Sequence, residues 1–126
     1  MDWDSDPELK ELRKAFLASF VDRRDKLRTA LLKADSDSIR HIAHKLAGAA
    51  ESYGYPNVTE VSSALDDWLA HAAENERSPA SLFAFATLLT EVLEEALARG
   101  QDPADFRADP RFRALLVAAA AIRARF

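Results

Sequence analysis

Four times this chain sets a helix-capping side chain directly before a proline, at Asp6-Pro7, Ser78-Pro79, Asp102-Pro103 and Asp109-Pro110. An Asp or Ser side chain can accept hydrogen bonds from the free amides of a first helical turn. Proline at the first helical position gives up an N–H that has no partner there anyway, so each pair marks a helix start. Between these starts the apolar residues recur at intervals of three and four, the helical period, and no alternating strand pattern interrupts them. Leu9, Leu12, Phe16, Phe20, Leu27 and Leu31 predict one long first helix over residues 7–33. Asp35-Ser36-Asp37-Ser38 caps a second that runs to Tyr53, with Gly54 suited to the left-handed residue beyond its end and Pro56 as a stop. Asn57 with Glu60 resembles a capping box for a third helix, whose buried face is Val58, Val61, Leu65, Trp68 or Leu69, and Ala72. The fourth begins at Ser78-Pro79, carries Leu82, Phe85, Leu89, Val92 or Leu93 and Ala96, and ends before Gly100.

The fold class expected is therefore all-α, a single domain over 1–126 built as an antiparallel four-helix bundle (7–100) with an additional C-terminal helix in the extension 101–126. In the extension Asp102-Pro103 predicts a single turn. Asp109-Pro110 leads into a stripe of Phe112, Leu115, Leu116, Ala119, Ile122 and Phe126. This helix is expected to cover one side of the bundle; the competing reading is a docking or membrane-surface segment, because arginines flank its apolar centre.

Composition narrows the function classes. No cysteine is present among the 126 residues, which excludes a disulfide framework and thiolate chemistry. The acidic opening Met1-Asp2-Trp3-Asp4 has no apolar run of the secretory kind, and no stretch approaches the roughly 20 apolar residues of a membrane span, so a cytoplasmic monomer is the expectation. Of the net charge of −4, residues 101–126 contribute five arginines against three aspartates, or +2, which leaves −6 on residues 1–100. So acidic a body argues against a nucleic-acid partner.

The chemistry concentrates in the second helix. Wound at about 100° per residue from His44, it places Ile39, Ile42, Leu46, Ala49, Ala50 and Tyr53 on the far, core-facing side, and Asp37, Arg40, His41, Ala47, Gly48 and Glu51 around the histidine. Gly48 lies one turn after His44, where a glycine costs about 1 kcal/mol of helix stability relative to alanine. It is on the wrong face to allow close packing inside the bundle, so it points to access for something outside. Asp37 and Glu51 stand seven residues from His44, about 10 Å along the axis, too far to orient its ring; a group from a neighbouring helix, or water, must do that. His41 and His44 are spaced as a metal pair might be, but no third ligand accompanies them, so no metal site is expected.

The run His44-Lys45-Leu46-Ala47-Gly48, with Gly54 after five more residues, resembles the H-x-L-(K)-G-x5-G signature of histidine-containing phosphotransfer (HPt) domains, the four-helix modules of multistep two-component phosphorelays. The resemblance covers residues 7–100. It implies that His44 accepts a phosphoryl group from the aspartyl phosphate of a receiver domain, in a response regulator or hybrid kinase, and passes it to another regulator. Gly48 would keep the surface open, and Arg40, His41, Lys45, Ala47, Gly48 and Glu51 would form the surrounding contact patch. No cofactor is implied on this chain, because the magnesium ion of such a transfer belongs to the receiver. The absence of a glycine-rich nucleotide loop agrees with a relay that makes no phosphoryl groups from ATP. The chain departs from the family at Ala47, where lysine is usual. Arg40, about 40° from His44, and Lys45, about 100° away on the other side, are the cations that could take its role. The alternative reading is a docking-only relative that binds or sequesters a receiver or kinase without accepting phosphate; the missing lysine favours it, and the retained histidine and both glycines oppose it.

Overall fold

The computed structural model describes residues 5–124; Arg125 and Phe126, the last residue of the predicted C-terminal stripe, lie outside them. The described residues form no strand. Their helices are α1 (Pro7–Ala18), α2 (Phe20–Leu32), α3 (Ser36–Ser52), α4 (Pro56–His71), α5 (Pro79–Arg99) and α6 (Pro110–Arg123), with a short 3-10 turn at Glu74–Glu76. Helices α2 to α5 make the antiparallel four-helix bundle, in which α3 packs on α4 and α2 on α5. Asp6, Asp35, Ser78 and Asp109 each accept a backbone N–H at the N-terminus of the helix they precede, as their side chains predict.

The long first helix is two helices. Ser19 interrupts it, its hydroxyl donating to the Phe16 carbonyl, a local bond that tightens the turn at ψ −16°. Across the break Phe16 and Phe20 meet edge to face, with ring centroids 5.0 Å apart, and both rings pack against Tyr55 while Phe16 stacks on Tyr53 at 4.6 Å. This aromatic cluster, with the Arg13 side chain donating to the Gly54 carbonyl at 3.2 Å, ties α1 and α2 to the α3–α4 corner. Gly54 takes φ +77°, and the Tyr55 amide donates back to the Ala50 carbonyl at 2.9 Å, the closure that ends α3 with a left-handed residue.

The start of α4 departs from its predicted capping box. Pro56 opens the helix instead of stopping the preceding one, and the cap comes from the extension: the Asp102 carboxylate accepts from the Asn57 and Val58 amides at 3.1 and 3.3 Å. The Asn57 side chain donates to the Pro103 carbonyl at 2.8 Å, and Glu60 pairs with Arg107. So Asp102-Pro103 starts no helix turn of its own; it closes one more than forty residues away. Burial pushes the Asp102 carboxyl above the usual carboxylate range, against the pull of its two N–H donors. Asp102→Ala should therefore cost about 1–2 kcal/mol in urea unfolding, with Asp102→Asn, which keeps an acceptor, costing about half of that.

Helix α6 lies on α4 and α5. Phe112, Leu115, Ala119 and Ile122 are buried there, so the helix covers the bundle with these four, whereas Leu116 of the predicted stripe turns outward and is exposed, because it falls one residue past the buried Leu115 on the helix. Three arginines of the extension turn to acids of the body: Arg107 to Glu60, Arg111 to Glu91, and Arg123 to Asp67. With α2 on one flank and α6 on another, α5 buries residues around most of its circumference, which explains its nearly continuous apolar sequence. No helix of the described residues is long and apolar enough to cross a membrane.

Candidate functional site

The fully buried residues of α3 are Ile39, Ala43, Leu46 and Ala50, while Ile42, Ala49 and Tyr53 are only half-buried. The predicted core face thus gains Ala43 and is rotated by about 50° toward α4, at 100° per residue. The physical reason is the close packing of α3 on α4, which draws the small residues Ala43 and Ala50 into the joint. His44 consequently sits at the edge of α3 nearest α4 instead of diametrically opposite the core. Its side chain is 69% exposed, yet within reach of a neighbour.

That neighbour is Asp66 of α4. Its Oδ2 lies 2.8 Å from His44 Nδ1, and its Oδ1 accepts from Arg40 Nε at 3.3 Å. Asp66 itself is only 17% exposed. An ionised carboxylate can only accept, so this contact assigns the ring proton to Nδ1 and leaves the lone pair on Nε2 directed away from Asp66 toward solvent. With the ring held through Nδ1, Nε2 is the nitrogen left available as a nucleophile. Asp66 was not among the residues singled out from the sequence. The expectation that a neighbouring helix would supply the second ring partner is met by it, and neither Asp37 nor Glu51 bonds the ring among the described residues.

The other predicted residues spread over the surface around His44. Arg40, His41, Lys45, Gly48 and Glu51 are exposed and Ala47 is half-buried. Asp37, Arg40, His41 and His44 line a shallow hollow of about 260 Å³. His41 also borders two hollows on the α2 side of the helix, one of about 590 Å³ reaching Asp35 and Lys33, and one of about 290 Å³ reaching Asp22 and Lys26. Lys45 faces that second hollow, and so looks away from Arg40 and Asp66. The surface next to the histidine is thus a continuous α2–α3 face of mixed charge.

A Cβ built on Gly48 would meet nothing within 4 Å. Nothing inside the chain requires a glycine there. Gly48→Ala should raise stability by about 0.5–1 kcal/mol, the ordinary helix gain, and thermal unfolding will show whether it does. A residue that weakens its own helix without relieving any internal contact leaves the surface low for an external body.

The comparisons with known proteins come to one finding. The family model described as Hpt domain matches residues 11–116, which takes in α2 to α5 and most of α1 and reaches into α6. No curated protein and no solved structure matches the chain.

Proposed function

This chain belongs to the Hpt domain family, whose members carry phosphoryl groups in phosphorelays, and from that premise we propose that His44 is its phosphoacceptor, loaded by a receiver-domain aspartyl phosphate and unloaded onto another receiver. The observation that supports this most is the bond from His44 Nδ1 to Asp66 at 2.8 Å on a side chain left 69% exposed. It combines a defined tautomer with open access to Nε2.

The chemistry follows from that bond. The Nε2 lone pair attacks phosphorus in line as the P–O bond to the receiver aspartate breaks, and that carboxylate departs with the electron pair. No proton has to leave, because Nε2 carries none. The product is a phosphoimidazolium whose Nδ1–H still faces the Asp66 carboxylate, so the positive charge that develops on the ring meets a fixed negative one. The same charge makes the ring a good leaving group, and transfer onward is the reverse of these steps on a second receiver.

Partner recognition falls to the α2–α3 face, where His41, Lys45 and Gly48 are exposed beside α2 residues Asp22 and Lys26. Mixed charges there would govern partner choice and association rate more than buried area does. The magnesium ion of the transfer belongs to the receiver, and the chain works in the cytoplasm with no cofactor of its own. One copy suffices, since His44, Asp66 and Arg40 all come from one chain.

Incubation with receiver domains carrying a radiolabelled phosphoryl group tests the proposal. The chain should take up label that is lost in acid and kept in base, as expected of a phosphorus–nitrogen bond. Stoichiometric receiver binding with no label would establish the docking-only alternative in its place.

A further inference from the structure

We propose that Arg40 is the cation that receives the phosphoryl oxygens at His44, doing from one turn earlier in α3 what the usual lysine at position 47 does from one turn later. The proposal rests on the reading of His44 as the phosphoacceptor. Transfer gathers negative charge on three equatorial oxygens, and a permanent cation beside them lowers the barrier. Two cations neighbour His44 on its own helix. Lys45 borders the hollow shared with Asp22, Arg23 and Lys26, on the α2 side. Arg40 borders the hollow that contains His44 itself.

One carboxylate joins the two groups: Asp66 holds Arg40 Nε on Oδ1 and His44 Nδ1 on Oδ2. The guanidinium is thereby kept beside the imidazole before any phosphate arrives. Its hold is light, a single bond of 3.3 Å on a side chain 50% exposed, and its terminal nitrogens make no hydrogen bond among the described residues. Those nitrogens are free to form a fork on phosphoryl oxygens.

Charge counting shows what the arginine contributes. Before transfer Arg40 and Asp66 balance. Afterward the site holds a phosphoryl group of about −2, a protonated ring, Asp66 and Arg40, for a net charge near −1; without the arginine it would be near −2. During transfer the terminal nitrogens of the guanidinium take phosphoryl oxygens, while Asp66 keeps both Arg40 Nε and the Nδ1–H. The bonds made and broken are those of the transfer itself, with no proton or electron added.

The test uses the full chain and a phosphorylated receiver domain that labels it. Arg40→Gln should slow transfer about 10- to 100-fold, the scale of one charge-assisted hydrogen bond, and Arg40→Lys should stay within about fivefold of the original chain. Calorimetry with the unphosphorylated receiver should give a Kd for Arg40→Gln within about threefold of the original, because that receiver brings no phosphoryl group for the arginine to hold. Nitrogen-15 shifts of His44 should show the Nδ1–H tautomer intact in Arg40→Gln. Adding Ala47→Lys to Arg40→Gln should recover most of the lost rate. Transfer by Arg40→Gln within about threefold of the original chain overturns the proposal. So does a loss matched by an equal loss of affinity, which would make Arg40 a docking residue, or one accompanied by loss of the tautomer, which would make it only a support for Asp66. If the unsubstituted chain takes no label from any receiver, the phosphoacceptor reading fails and this one with it; label on that chain with Arg40→Gln unimpaired overturns this one alone.

Discussion

Substitution of His44 by glutamine should abolish the acid-labile label, a loss of at least about 10³-fold in transfer rate, because an amide nitrogen has no lone pair available for attack on phosphorus. The fold should not notice. His44 is exposed and is not one of the buried residues of α3, Ile39, Ala43, Leu46 and Ala50, so unfolding free energy should move by no more than about 0.5 kcal/mol. Circular dichroism and urea unfolding on the same preparations check that half of the prediction. The chain has three histidines, at 41, 44 and 71, which makes the outcome specific. His41 lies one turn before His44 and shares its hollow, whereas His71 stands in the last turn of α4. Undiminished label on the glutamine variant would move the acceptor to one of these two. Loss of label with the fold retained fixes it at His44.

Much of this architecture was legible because its signals are local. A cap and the proline after it lie next to each other in sequence, so Asp6, Ser78 and Asp109 announce their helices without reference to anything distant. The Asp102-Pro103 pair and the start of α4 defeat a local reading for the opposite reason. Asn57 and Glu60 have the spacing of a capping box, but the carboxylate that caps α4 comes from Asp102, and only the tertiary fold brings it there. The interruption at Ser19 was also hidden: the apolar spacing runs unbroken through it, and the mark it leaves is a serine hydroxyl bonded to the Phe16 carbonyl. At the site itself, the helical wheel separated the exposed from the buried side of α3 well enough to expose His44 and Gly48. It erred by about 50°, since a single-helix wheel does not know that one neighbour, α4, packs closer than the other.

Asp66 had a signal that could have been used. Two antiparallel helices joined by a tight corner bring together residues about equally far from it, and His44 stands ten residues before Gly54 as Asp66 stands twelve after. Among the acids of α4, Asp66 has that register, beside the buried Leu65 and Trp68. Asp67, next in sequence, turns to Arg123 of α6.

The carboxylate has two separable duties, and substitution should resolve them. Asp66→Ala removes both the acceptor that keeps the proton on Nδ1 and the negative charge that faces the phosphoimidazolium; transfer should fall by about 10- to 100-fold, the range for losing one charge-assisted hydrogen bond in a partly solvated site. Asp66→Asn leaves a carbonyl oxygen able to accept from Nδ1–H but no charge. Its His44 should keep the Nδ1–H tautomer by nitrogen-15 shifts while transfer still drops, by about tenfold. The two variants thus differ in tautomer and agree in direction of rate. Stability should change by no more than about 1 kcal/mol in either, because the pairs to Arg40 and His44 are solvent-screened and the desolvated neighbours Leu65 and Trp68 are untouched. An Asp66→Ala chain that transfers within about threefold of the original would remove the carboxylate from the mechanism and leave exposure of Nε2 as the site's sole contribution. A rate lost in Asp66→Ala and fully kept in Asp66→Asn would instead show that the tautomer matters and the charge does not.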